Sequence, residues 1–168
     1  MALKASLVAL MAAAAPTHAL PVPVPLECAL SVAATVDSGQ AVPLRMRLRN
    51  PGPAPLQVLG WGTPFEGWFA PYVRVWRDDT ELAYKGPSLK RGDPEREDYL
   101  RIAAGRSRVA VVDLTEAFDI RQSGHYRVQP QITLHDVFAA SAAKPPRPRS
   151  RHVGQTLACA PLAFEIQR

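Results

Sequence analysis

Residues Leu44-Arg45-Met46-Arg47-Leu48-Arg49 alternate apolar and basic with a strict period of two. A strand sends successive side chains to opposite faces, so this run reads as a half-buried strand with three arginines toward solvent. No segment sustains a helical period beyond about two turns. Similar short runs, β-branched or apolar between Gly, Pro and Asp turns, lie at 27–36, 41–49, 56–59, 72–77, 81–84, 99–102, 108–114, 125–134 and 157–166. Asn50-Pro51-Gly52-Pro53 is a turn, and Asp78-Asp79 sits where a two-residue hairpin connection fits. Residues 115–118 and 136–143 are each expected to form one helical turn. Strands at this spacing predict an all-β, immunoglobulin-like antiparallel sandwich of about seven to nine strands.

The N-terminus carries a different signal. Lys4 precedes an apolar run over 5–15, and Thr17-His18-Ala19 supplies small residues where a signal peptidase cuts. The run is shorter than the roughly 20 residues a membrane span requires. Residues 1–19 therefore read as a signal peptide, which predicts export to periplasm or medium and a single domain over 20–168, with no transmembrane segment. Two cysteines remain, Cys28 and Cys159. In an oxidising compartment such a pair is expected to form a disulfide joining the first strand to the last, two buried thiols being the alternative. Closing a loop of about 130 residues stabilises by up to about 5 kcal/mol in the chain-entropy treatment.

The net charge of +5 is concentrated late, where Lys144, Arg147, Arg149 and Arg151 alternate with Pro145, Pro146 and Pro148. This basic run, 144–151, reads as a solvated, extended loop. It lacks the stacking aromatics of a nucleic-acid surface, so no nucleic-acid partner is expected. An acidic residue, a glycine and a tyrosine at the start of a strand, Asp119, Gly124 and Tyr126, match a tyrosine corner, in which the phenol bonds back to upstream backbone.

Three stretches stand in order: LRNPGPAPLQVLGWGTPFEG, VRVWRDDTELAYKGPSLKRGDPEREDYLRIAAGRS and VVDLTEAFDIRQSGHYRV. Together, over residues 44–128, they resemble the N-terminal, non-catalytic domain of bacterial deuterolysin-type (peptidyl-Lys) zinc metalloendopeptidases. The sharpest parts are the turn Thr63-Pro64-Phe65-Glu66-Gly67, the loop with Lys90, Arg91, Pro94, Asp98 and Tyr99, and the spacing to the corner. The resemblance implies a propeptide-like role in folding or restraining such a protease. Those enzymes hold zinc through H-E-x-x-H with a further Asp. Here His18, His125, His135 and His152 are each followed by a residue other than Glu, and the residues after 128 are too few for a catalytic domain.

Catalytic residues, metal ligands and cofactors are accordingly not expected. His135 and Asp136, adjacent on a strand, would face opposite ways and read as exposed loop residues. Ser107, Ser123 and Ser150 lack a nucleophile-elbow context. Glu95, Glu97 and Asp98, interleaved with Arg96, read as a solvated loop.

Recognition remains. Trp61, Phe65, Trp68 and Phe69 fall within nine residues beside three glycines and a proline. Either all four rings close the end of the core, or two do so and the others meet a partner together with Glu66. Lys90 and Arg91 add charge complementarity or are simply solvated. The expected partner is a secreted zinc metalloendopeptidase. The competing reading is an envelope adhesion, carbohydrate-binding or assembly module with no protease partner.

Overall fold

The computed structural model describes residues 24–168, so the segment 1–19 expected to be a signal peptide lies outside the described residues. Strand β1 (Glu27–Ser31) leads into β2 (Thr35–Asp37), and β3 (Pro43–Arg49) follows. In β3 Leu44, Met46 and Leu48 are fully buried while Arg45 and Arg47 are exposed. The alternation thus fixes which face meets the core. Arg49 Nη1 donates to Glu27 across the strand pair at 2.9 Å.

Two larger sheets enclose the core. One has β3 between β1 and β8 (Ser107–Asp113). The other runs β2, β13 (Leu162–Gln167), β9 (Gly124–Pro130), β5 (Val73–Arg77), β6 (Thr80–Leu82). Leu44, Met46 and Leu48 from the first join Val73, Val75, Tyr126, Val128, Phe164 and Ile166 from the second in one buried cluster. This is an all-β, immunoglobulin-like sandwich. All pairs are antiparallel except β2 with β13. A third sheet, β11 (Val137–Ala139), β4 (Leu56–Leu59), β7 (Tyr99–Ile102), closes one end, and β10 (Thr133–Leu134) pairs with β12 (Gln155–Thr156).

The thirteen strand segments among the described residues exceed the seven to nine expected because two long runs are divided and two short strands, β11 and β12, form outside the expected runs. Residues 27–36 change sheets after Ser31, so β1 pairs with β3 and β2 with β13. No Gly or Pro marks that switch. The run 125–134 breaks after Pro130, and of 157–166 only the part after Pro161 is strand; neither proline has an N–H to carry a ladder. Residues 136–143 contain strand β11 rather than only a helical turn, because Val137, Phe138 and Ala139 find an open edge on β4. The turn expected over 115–118 is a 3-10 turn over Leu114–Glu116, capped by Asp113 Oδ1, which accepts from Thr115 N at 2.9 Å. Asp78 connects β5 to β6 with φ 51°, a value Asp tolerates better than most residues.

Tyr126 Oη donates to the Gln122 carbonyl at 2.7 Å and pins the crossover into β9. Gly124 has φ 151°, a conformation strained for any side chain, and a Cβ there would also stand 3.3 Å from the Arg77 and Asp78 side chains. Asp119 is outside this bond; it pairs with Lys85 at 3.2 Å and Arg121 at 3.5 Å. Cys28 and Cys159 form a disulfide with Cα atoms 5.0 Å apart, joining β1 to the segment that feeds β13. It links the two large sheets at residues 131 positions apart. Reduction, or Cys28→Ser with Cys159→Ser, is expected to cost about 2–5 kcal/mol in urea unfolding; unchanged midpoints would show that the bridge does not constrain the unfolded chain.

Candidate functional site

The aromatic turn leaves β4 at Leu59 and folds on itself. Thr63 Oγ1 donates to the Gly60 carbonyl at 2.6 Å and accepts from Phe65 N at 3.2 Å. Gly60 N donates to the Asp98 carbonyl at 2.8 Å, anchoring the turn to the loop before β7. Glu66 then reaches back, its Oε1 accepting from Gly62 N at 2.6 Å. Gly62 has φ 66°, and a Cβ there would stand 3.3 Å from His135 Nε2. A glycine therefore serves both the turn and the close approach of His135.

The four rings divide by environment. Trp68 lies in the main core, stacked on Tyr72 with centroids 4.5 Å apart and edge-on to Phe118 at 5.8 Å, and its Nε1 donates to the Asp113 carbonyl at 2.7 Å. Phe65 is half-buried against the same core. Trp68 thus packs in the core and Phe65 partly so, the arrangement in which two of the four rings close the end of the core. Trp61 is buried in a second cluster with Leu59, Tyr99 and Phe138, and Phe69 is exposed.

The basic run 144–151 is not a free solvated loop. Arg147 folds inward onto Asp136, whose side chain is 0% exposed against 15% for Arg147. Arg147 Nε donates to Asp136 Oδ2 at 3.0 Å, and a second guanidinium nitrogen donates to Oδ1. Val153 N donates to Oδ1 at 3.0 Å and Tyr99 Oη to Oδ2 at 2.9 Å. The guanidinium also lies over Phe138, 4.1 Å from the ring centroid. The pairing of His135 with Asp136 as exposed loop residues thus holds only for His135. Asp136 is buried because Leu134, Val137 and Phe138 around it all face inward, and four donors replace its water.

The electrostatics follow. Burial pushes the Asp136 carboxyl up, but Arg147, the Val153 amide and Tyr99 together outweigh it and hold the group below its ordinary range. Burial, with the Asp136 hydrogen bond and charge, raises the Tyr99 phenol to about 12. Tyr99 therefore stays a donor to a carboxylate that is ionised at neutral pH.

Pinning this segment opposite the aromatic turn leaves a half-open groove of about 370 Å³. Trp61, Glu66, Phe69 and Arg91 line it, together with Leu89, His135, Arg149 and His152. Arg91 pairs with Glu66 and lies 5.1 Å from the Trp61 ring centroid and 5.5 Å from that of Phe69. Lys90 is exposed and outside the lining. Arg149, His135 and His152 are groove residues beyond those expected from the sequence. The available signal was an aspartate inside the apolar stretch 134–138 with an arginine a few positions on among prolines. Among the described residues no group of three or more His, Cys, Asp and Glu side chains could hold a metal ion. Among them, too, no helix is long and apolar enough to cross a membrane.

No family model matches the chain. It is 30% identical over 88 residues to an extracellular protease of Aeromonas hydrophila, a match covering 52% of this chain and 25% of that protein. The match thus spans about a quarter of the relative's length. Among solved structures, the chain is similar to the CARDB domain of a Pyrococcus furiosus protein in complex with di-metal ions, at TM-score 0.35 and 12% identity over 85% of this chain and 88% of that one. It is similar also to the alkylpurine DNA glycosylase AlkC of Pseudomonas fluorescens bound to DNA, at TM-score 0.37 and 14% identity over 85% of this chain and 30% of that one. At such scores neither likeness bears on function.

Asp136→Asn should lower unfolding free energy by about 3 kcal/mol, because it leaves Arg147 buried without its counter-charge. The pH dependence has a definite sign. A carboxyl held below its unfolded value stabilises fully above about pH 4 and loses that contribution as pH falls toward its folded value. Denaturant titrations between pH 6 and pH 2 should therefore fall more steeply for the native chain than for Asp136→Asn; parallel curves would contradict the buried pair.

Proposed function

We propose that this domain is a non-catalytic recognition module that works outside the cytoplasm with a secreted zinc metalloendopeptidase, seating part of that enzyme in the groove. The observation that carries the reading is the similarity to an extracellular protease, which runs over half of this chain. The zinc-protease class comes from the three stretches within residues 44–128 that resemble the propeptide-like domain of peptidyl-Lys enzymes. The disulfide supports action in an oxidising compartment.

The groove suits that task physically. Its turn is held by its own hydrogen bonds, so little ordering entropy is lost when a partner seats on it. Phe69 presents an aromatic anchor beside Leu89, and Leu89 N is tied to the Phe69 carbonyl at 3.2 Å. Aromatic and arginine anchors dominate interface energetics, whereas rim charges mainly steer encounter.

The test is to add purified protein to deuterolysin-type zinc endopeptidases and read affinity, peptidase rate and refolding yield. Binding is expected, with a change in rate or yield, and Phe69→Ala should weaken it by about tenfold, or 1.4 kcal/mol. Absence of binding across several such enzymes, or an unaltered Kd for Phe69→Ala, would overturn the reading.

A further inference from the structure

The polar groups of the groove are unequally engaged. Its one carboxylate, Glu66, has both oxygens already engaged, Oε1 by Gly62 N and Oε2 by Arg91. Arg91 is correspondingly neutralised and laid against Trp61 and Phe69. Arg149 differs. Its guanidinium is exposed and 5.9 Å from the Trp61 centroid, and among the described residues it has neither a carboxylate partner nor a side-chain hydrogen bond. His135 adds an imidazole with no hydrogen bond among the described residues. His152 is engaged through Nε2 with the Arg147 carbonyl at 3.0 Å. What the groove holds out is therefore donors and positive charge, while its acceptor is in use.

Beside these donors lies an apolar shelf. Phe69 and Leu89 are 36% and 48% exposed, two of the few large apolar side chains left open to solvent among the described residues. We propose that the groove takes an acidic peptide segment, with a carboxylate on Arg149 and a neighbouring apolar side chain on Phe69 and Leu89. Complementarity of charge selects the carboxylate, since Arg149 presents a planar fork without a competing internal anion. The shelf distinguishes a peptide from a small inorganic anion, which would gain nothing from apolar contact. A sugar fits less well: the Trp61 ring is buried and already carries two guanidiniums, and the acceptors that sugar hydroxyls need are engaged. This inference rests on the proposed function only in assigning the segment to the protease.

The test uses two capped hexapeptides, one with Glu between Leu and Phe and one with Gln in its place, titrated by calorimetry into the full chain. The acidic peptide should bind at least tenfold more tightly than its amide counterpart. Arg149→Gln should abolish that difference, and Arg149→Lys should keep part of it. Because Arg149 is on the surface, both variants should retain the native circular dichroism spectrum. Equal affinity of the two peptides, no binding of either, an unaltered preference in Arg149→Gln, or equal binding of inorganic phosphate would overturn the proposal. A parallel titration with the endopeptidase separates the two ideas. Binding to the enzyme without any peptide preference refutes only the acidic segment. An Arg149-dependent peptide preference without enzyme binding refutes only the protease partner.

Discussion

A buried carboxylate organises the groove end of this sandwich. Asp136 is removed from water, and an ion in that position is tolerated only when its lone pairs are filled. Tyr99 fills them from one part of the chain, and Arg147 and Val153 from the segment that follows β11. The cost of leaving the charge unpaired is what holds a proline-rich, basic segment against the protein. Without that tether, nothing in the composition of 144–151 would keep it from extending into solvent.

The tether creates a wall, and the aromatic turn supplies the opposite one. Because the turn closes on itself through Thr63 and Glu66, its shape is set before any partner arrives. The division of rings follows from the same geometry: Trp68 is committed to the core through Tyr72 and the Asp113 carbonyl, leaving Phe69 outside. The disulfide and the tyrosine corner act further away, holding the two large sheets in the relation that lets the small third sheet present Tyr99 and Phe138 at the base of the site.

Local pattern made the sandwich legible. The alternation in β3 marks its buried face, and β4 and β7 begin and end where their apolar runs do. The strand changes that divide 27–36 and create β11 were not legible, because they depend on which sheet edge is open in space. The site shows the same split. Trp61, Glu66, Phe69 and Arg91 stand out in sequence as a turn rich in rings and charge. Arg149 and His152 do not, since their place depends on an ion pair between residues 136 and 147 whose partners were read separately, one as an exposed loop residue and one as part of a solvated run. Burial of a charge is a tertiary property, and only the apolar neighbours of Asp136 hinted at it.

The central claim is that the groove, rather than another face of the sandwich, is where this domain meets a protease. Its most direct measurement is a nuclear magnetic resonance titration of the isotopically labelled chain with a deuterolysin-type zinc endopeptidase. The account predicts perturbed resonances for Trp61, Phe69, Leu89 and Arg149, with the outer face of β8 unaffected. Perturbations confined to Val109 and Val111, or none at saturating enzyme, would contradict it.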